Sequence, residues 1–186
     1  MDTKLRCAWC EKDDLYRNYH DNEWGKPVYD DATIFEFLIL ETFQAGLSWY
    51  TVLAKRENFR KAFDHFDWNT IANYSEEKMT KLAEDAGIIR NKLKIKATVT
   101  NAQAFIKVQE EFGSFSKYIW GFVDGKPIDN KPKTLKDVPA TTPISDALSK
   151  DLKKRGFKFV GSTVVYAHMQ ATGMVNDHVM DCFTRK

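Results

Sequence analysis

The sequence predicts an all-α fold. Along most of the 186 residues, side chains that cap helices precede apolar runs, and glycines follow those runs. Within each run the apolar residues recur at the three-to-four-residue spacing of a helix, not the alternation of a strand. One long irregular stretch, residues 125–143, interrupts the pattern. Neither a repeat nor a low-complexity tract is present, so a set of packed helices accounts for the whole sequence.

The first half of the chain contains three predicted helices. Asp30 precedes a short, strongly apolar helix, for which it supplies a cap. Ser48 caps a second helix, whose apolar residues at helical spacing are Trp49, Val52, Leu53, Phe59 and Phe63. Ser75 opens a third helix with an acidic first turn, and Gly87 is its predicted end.

The second half continues the helical pattern. A long helix is predicted over residues 91–112 and a short one over residues 114–121. A Thr-Pro pair, which supplies a cap and a first-turn proline, begins a helix over residues 142–156. The last apolar segment, residues 163–171, contains Val164-Val165, which could belong to a strand. The surrounding helices favour a helix there. The irregular stretch between the fifth and sixth helices has the length of a functional lid or a mobile connection.

Length and composition predict one domain over residues 1–186, or two closely packed lobes. With 43% hydrophobic and 29% charged residues, the chain has an ordinary globular mixture, which excludes a disordered protein. No apolar run approaches the ~18 residues of a membrane helix, and the first residues lead into no secretory-type segment. We therefore expect a cytoplasmic protein without a membrane partner. The net charge of +2 permits nucleic-acid binding without arguing for it.

Cysteines and histidines near both ends of the sequence predict a metal site. Cys7, Cys10 and His20 lie near the start, and His178 and Cys182 have the spacing of one helical turn. Two ligands from each end would make a closed tetrahedral zinc site that joins segments otherwise prone to fray. The spacing leaves open whether Cys7 or Cys10 is the ligand, and unrelated scattered residues are the alternative. A catalytic zinc would need an open position and is disfavoured.

Aromatic residues and one carboxylate predict a pocket. Residues 16–25 combine tyrosine, histidine and tryptophan with polar side chains, and Glu41 follows an otherwise solidly apolar helix. The simpler interpretation is an exposed carboxylate at a helix end. The alternative is a pocket with tyrosine and tryptophan walls, in which one acid orients a flat polar ligand.

The same residues belong to a larger pattern that resembles the 3-methyladenine DNA glycosylase I family. The resemblance spans nearly the whole chain, and its ungapped motifs occur in the same order. The motifs are residues 6–9, 19–25, 41–49, 86–90, 148–161 and 176–179.

The resemblance implies a divergent helix-hairpin-helix DNA glycosylase fold with a structural zinc ion. By match to the family's motifs, the zinc ligands are Cys7, His20, His178 and Cys182. The resemblance favours Cys7 because the family's cysteine precedes an x-Trp pair. Cys10 is then an additional cysteine that could replace Cys7.

The resemblance also implies the reaction. A 3-methyladenine base flips out of alkylated double-stranded DNA and is excised by hydrolysis, which releases the base and leaves an abasic site. Glu41 is the implied acid of the pocket, in catalysis or in base recognition. The implied substrate-binding residues are Tyr16, Tyr19, Trp49, Trp9 and Trp24. A cationic methylated ring stacks well on such aromatic faces. Water is the nucleophile, without a covalent lysine intermediate.

DNA contacts are implied at two segments. Ala45, Gly46 and Leu47 would fill the space left by the flipped base, with Leu47 as the wedge. Backbone amides of a hairpin would hold phosphates; its implied DNA-binding residues are Gly87, Ile88, Ile89, Arg90 and Lys92. Lys94 and Lys96 flank the hairpin as well. Ile89 replaces a glycine that is common in the family.

Two further features bear on these expectations. The basic group over residues 153–158 is either DNA-facing or a solvated helix end, and Phe43 beside Glu41 could reshape the pocket rim.

A DNA-binding protein without catalytic activity is the alternative function, and an intact pocket argues against it. A zinc hydrolase is disfavoured because all four ligand positions are filled. We expect a monomer.

Overall fold

The computed structural model describes residues 4–185, which are mostly helical. The helices are α1 (Asp14–Asn22), α2 (Asp31–Gln44), α3 (Trp49–Leu53), α4 (Arg56–Ala62), α5 (Trp68–Ile71), α6 (Glu76–Glu84), α7 (Lys92–Phe112), α8 (Phe115–Trp120), α9 (Pro143–Lys154) and α10 (Ser162–Ala171). Two short parallel strands, β1 (Ile128–Asp129) and β2 (Val175–Asn176), form a minimal sheet in which Ile128 pairs with Val175. The prediction of a helical protein is confirmed.

The predicted helix starts are confirmed by their caps. In each case the side chain accepts a hydrogen bond from a first-turn backbone N–H that has no partner within the helix. These caps are Asp30, Ser48, Ser75, Asn91, Ser114 and Thr142. The segment with Val164-Val165 is helical, as expected.

Other elements differ from the prediction. Helix α1 was not predicted, although Asp13 caps it by accepting from the N–H of Tyr16. The helix predicted to run from Ser48 to Phe63 is two helices, which separate at Ala54 and Lys55. The irregular stretch contains β1, whose partner strand lies near the end of the chain. No helix within residues 4–185 is long and apolar enough to cross a membrane.

Helix α2 is the centre of the core. It is apolar on every side, and it contacts α3, α7, α8 and α10. The buried side chains of α2 include Phe35, Leu38 and Phe43, and Glu41 is buried among them. A helix surrounded in this way holds its last turn rigidly, and that last turn carries the candidate acid.

A close backbone approach brings the end of α10 against the segment before α2. A Cβ at Gly173, where φ is +68°, would lie 2.2 Å from the carbonyl carbon of Lys26. The N–H groups of Gly25 and Val28 donate to the carbonyls of Gln170 and Thr172 at 3.0 Å. This contact aligns the entry to α2 with α10, so both helices face one cavity.

Candidate functional site

A cavity of about 350 Å³ lies between α1, α2, α3 and α10. All the residues of the predicted pocket line it: Trp9, Tyr16, Tyr19, Trp24, Glu41 and Trp49. Its volume falls within the range of small-molecule sites. The sequence segments that carry these residues are therefore brought together at one place.

Glu41 is buried at the cavity, with 3% of its surface exposed. Its Oε2 atom has no hydrogen-bond partner among the described residues. Burial raises the pKa of its carboxyl group to about 8. The interpretation of Glu41 as an exposed helix-end carboxylate is therefore wrong. A buried acceptor without a partner is costly, which indicates that a ligand completes its hydrogen bonding.

Trp49 provides the complementary group. Its indole Nε1–H is buried and has no hydrogen-bond acceptor within residues 4–185, just as Glu41 Oε2 has no donor there. The cavity thus presents one unmatched acceptor and one unmatched donor. A flat ligand that carries both an N–H group and a ring nitrogen would satisfy the two together.

Aromatic rings form the rest of the wall. The ring centroids of Tyr19 and Trp49 are 5.4 Å apart, and Trp9 lies edge-on to Tyr16 at 4.9 Å and to Trp24 at 5.0 Å. Burial, and secondarily the charge of Glu41, raises the pKa of Tyr19 well above its usual value. Tyr19 therefore stays neutral and offers an electron-rich face to a planar, positively charged ring.

Four predicted metal ligands also come together. The ligand atoms of Cys7, His20, His178 and Cys182 all lie within 4.8 Å of one another, and all four residues are buried. The Sγ atom of Cys182 lies 3.5 Å from His20 Nε2 and 3.5 Å from His178 Nδ1. This cluster can hold a metal ion.

The outer hydrogen bonds of the histidines favour a cation inside the cluster. His20 Nδ1 lies 2.8 Å from a carboxylate oxygen of Asp21, and His178 Nε2 lies 3.0 Å from the carbonyl of Trp24. Each of these ring nitrogens therefore carries the proton, which leaves His20 Nε2 and His178 Nδ1 as lone pairs 3.2 Å apart. Two facing lone pairs repel each other unless a cation lies between them. The residues therefore fit a divalent metal.

Cys10 lies outside the cluster. Its thiol is buried and donates to the carbonyl of Cys7 at 3.1 Å, whereas Cys7 Sγ lies 3.7 Å from His178 Nδ1. The placement favours Cys7 as the ligand. The expected helical turn from His178 to Cys182 is wrong, because that segment forms a turn outside the helices.

The turn after α2 projects Leu47. The N–H of Leu47 donates to the carbonyl of Gln44 at 2.7 Å, Ala45 has φ −50° and ψ 118°, and Gly46 has φ +81°. These values define a type II turn, which needs a glycine at its third position. Leu47 is 41% exposed beside the cavity wall at Gln44, a suitable place for the predicted wedge.

The hairpin between α6 and α7 differs from expectation in part. The N–H of Gly87 donates to Asp85 Oδ1 at 2.7 Å, and that of Ile88 donates to the Asp85 carbonyl at 3.3 Å. These two amides are therefore already used within the protein. Ile88 is buried in the core, whereas Arg90 and Lys92 are exposed. Ile89, which lies between Ile88 and Arg90, is partly buried and packs against the core.

Two residues near this interface contradict the sequence interpretation. Lys94 is not DNA-facing, because its side chain is buried and donates to the carbonyls of Phe43 and Ala45. Phe43 does not reshape the pocket rim: it is fully buried and packs on Phe59 at 4.8 Å. Two residues along a helix rotate a side chain by about 200°, so Phe43 faces away from the cavity that Glu41 lines.

The basic group over residues 153–158 contains one arginine that is paired within the protein and three lysines that are exposed. Arg155 forms ion pairs with Glu111 and Asp151, both at 2.6 Å, while Lys153, Lys154 and Lys158 are exposed. The arginine therefore serves as a structural link between α7 and α9.

Part of the cavity wall was not predicted. Gln44 and Gln170 line it from the ends of α2 and α10, and Leu135 and Val138 line it from the irregular stretch. The length of that stretch indicated a functional loop, but nothing in its sequence indicated which residues reach the cavity. Gln170 carried a usable signal, since it is a polar residue inside an apolar helix.

Comparison with known proteins identifies the family. The model of the methyladenine glycosylase family matches residues 9–185. The chain belongs to the methyladenine glycosylase family. Among curated members, DNA-3-methyladenine glycosylase 1 of Escherichia coli (strain K12) is 50% identical over 177 residues, 95% of each chain.

Solved structures from this family have the same fold. A crystal structure of a 3-methyladenine DNA glycosylase I, 50% identical in sequence, superposes with a TM-score of 0.94 and covers 96% of this chain and 98% of that one. A variant of a 3-methyladenine DNA glycosylase I in complex with 3-methyladenine is 37% identical, with a TM-score of 0.94 and 97% coverage of both chains.

Proposed function

We propose that this protein is a DNA base-excision repair glycosylase that excises 3-methyladenine from alkylated DNA. The observation that carries the proposal is the unpartnered, buried Oε2 of Glu41 in an aromatic cavity. Membership of the methyladenine glycosylase family and the named activity of its relatives support the same reaction. The known complex of a relative with 3-methyladenine supports the base as the ligand.

The chemistry follows from the lesion. Methylation at N3 makes adenine cationic, so the base is already a good leaving group. Flipping places it against the aromatic wall that includes Tyr19 and Trp49, where a cation is favoured over neutral adenine. An ionised Glu41 would accept from the amino edge and favour the positive charge. Water then hydrolyses the N-glycosidic bond, and the products are the free base and an abasic site.

DNA binding is proposed to use the two exposed segments of the interface. Leu47, presented by the turn of Ala45 and Gly46, fills the vacated position in the duplex. Arg90 and Lys92 contact phosphates as part of a helix-hairpin-helix element formed by α6 and α7. Both segments are exposed, which supports this arrangement.

We also propose that the metal of the cluster is a structural zinc ion. Two sulfur and two imidazole ligands are a set that zinc prefers, and four protein ligands leave no position for a reacting water. The ion would join both ends of one domain, residues 1–186. Nothing in this arrangement requires a second copy of the chain, which fits a monomer.

The test is to incubate the protein with methylated duplex DNA and to identify released bases by chromatography. Release of 3-methyladenine with 7-methylguanine left in place is expected. Glu41→Gln should lower the release rate by about 10–100-fold, the value of a hydrogen bond to a charged group. Glu110→Gln, an exposed carboxylate on α7, is the control and should leave the rate unchanged. No release by folded, metal-loaded protein would favour the DNA-binding protein without catalytic activity instead.

A further inference from the structure

Lys94 is a buried lysine whose partners are two backbone carbonyls. It is 6% exposed, and its Nζ donates to the carbonyl of Phe43 at 2.9 Å and to that of Ala45 at 2.7 Å. Lysines are rarely buried to this degree unless their charge has partners. Desolvation lowers its pKa. Because burial of an ammonium group is unfavourable, its placement here indicates that these two hydrogen bonds have a role in the protein.

The two carbonyls belong to the end of α2. The last carbonyls of a helix have no partner within the helix, and they form its negative end. Lys94 satisfies two of them just where the chain enters the type II turn that presents Leu47. The ammonium group therefore fixes the direction in which the chain leaves α2.

Lys94 also joins the two segments proposed to contact DNA, the hairpin before α7 and the turn that presents Leu47. It lies in the first turn of α7, directly after the hairpin with Arg90 and Lys92. Through its carbonyl contacts, the hairpin and the Leu47 turn become one rigid unit. The distance between a phosphate contact and a wedge must be held in this way if the wedge is to enter the duplex at a defined base.

We propose that Lys94 is a positioning residue for base flipping, which it supports by holding the Ala45–Leu47 turn against α7. This inference rests on the proposed glycosylase function. Lys94 is not among the residues that line the cavity. Its contribution is confined to the step in which a paired base leaves the stack, so the need for Lys94 depends on how firmly the lesion is paired.

The experiment compares Lys94→Met with the wild-type protein on two substrates. One substrate carries 3-methyladenine paired in a duplex, and the other carries it unpaired in a bulge, where flipping costs less. Lys94→Met should slow excision from the paired site by about tenfold or more, the effect of losing hydrogen bonds to a charged group. Excision from the bulge should change little. Lys107→Met, which removes an exposed lysine on the same helix, should match wild type on both substrates.

Binding of free 3-methyladenine, measured by quenching of the cavity tryptophans, checks that the pocket is intact and should be the same for Lys94→Met and wild type. Should Lys94→Met fail to fold, Lys94→Gln keeps an N–H donor and should show a smaller loss of the same kind. Equal losses on both substrates, or no loss on the paired one, would overturn the positioning role. Failure of the wild-type protein on both substrates would instead reject the proposed function.

Discussion

At the scale of single residues, burial of polar atoms at the cavity identifies the site. Glu41 Oε2 and Trp49 Nε1 each lack a partner among the described residues. Leaving such atoms unmatched costs about 1–3 kcal/mol each in the free protein. That cost is recovered only by a ligand with the matching donor and acceptor, so the same atoms that weaken the fold select the ligand.

Replacing Glu41 by glutamine should stabilise the free protein above the pH range in which Glu41 would ionise, while it reduces excision. Burial raises the pKa of Glu41 from 4.5 to about 8, so the folded state holds its proton more tightly than the unfolded state. The free energy of unfolding then falls as pH rises through the window from 4.5 to about 8. Glu41→Gln lacks this loss, and its advantage should grow with pH to a few kcal/mol at most, since each pKa unit corresponds to about 1.4 kcal/mol.

Urea unfolding at a series of pH values measures that advantage. The difference between Glu41→Gln and wild type should be smallest in acid and largest above the raised pKa. Glu110→Gln should follow the wild-type curve throughout. A constant difference across the pH range would show that Glu41 ionises in the folded protein as it does in solvent.

At the scale of elements, sequence predicted what depends on neighbours along the chain. Caps such as Ser75 and Thr142 act within one turn, so the helix starts they predict were found. The break between α3 and α4 carries no glycine or proline, and the β1–β2 pair joins segments far apart in sequence, so neither could be predicted. Lys94 was misassigned for the same reason, since only the packing of α7 on α2 shows that it is buried.

The site shows the same limit. The residues of the cavity wall were predicted because several motifs were recognised together, whereas Leu135 and Val138 reach the cavity only through the path of the irregular stretch. Phe43 was misplaced because it lies close to Glu41 in sequence, although the two side chains point in different directions from α2. The periodicity of a helix places Phe43 in the core.

Two glycines allow backbone strain to be separated from steric overlap. Gly46 has φ +81°, and no atom lies within 4 Å of the position that a Cβ would take, whereas a Cβ at Gly173 would lie 2.2–2.4 Å from the Lys26–Pro27 backbone. Gly46→Ala should therefore lower the free energy of unfolding by roughly 1–2 kcal/mol, the cost of a left-handed alanine. Gly173→Ala should cost distinctly more, because the backbone of the adjoining segment must also move. Equal losses in urea unfolding would contradict the close approach at Gly173.

At the scale of the whole molecule, the cluster of candidate metal ligands and the cavity share one helix. Helix α1 carries His20 toward the cluster and Tyr16 and Tyr19 toward the cavity. Trp24, which follows α1, lines the cavity and accepts from His178 through its carbonyl. A metal ion bound by the cluster would thus hold the aromatic wall of the cavity in place, because it would join α1 to His178 and Cys182.

Removal of the proposed zinc ion should consequently destabilise the protein and loosen the pocket. Cys182→Ser removes one ligand and should lower the melting temperature by several degrees, as expected when metal-binding free energy contributes to folding. Cys10→Ser is the matched control, because Cys10 is equally buried but only donates to a carbonyl, which serine can also do. Differential scanning calorimetry, with and without a chelator, measures both variants.

The chelator distinguishes a metal effect from a packing effect. It should lower the melting temperature of wild type and of Cys10→Ser toward that of Cys182→Ser, and it should have little effect on Cys182→Ser itself. Because α1 carries both His20 and the tyrosines of the cavity, binding of free 3-methyladenine should weaken in the same samples. The opposite result would be that Cys182→Ser has the melting temperature of wild type and that the chelator changes the melting temperature of neither protein. The four residues would then be ordinary packed side chains, and packing in the core alone would hold the aromatic wall in position.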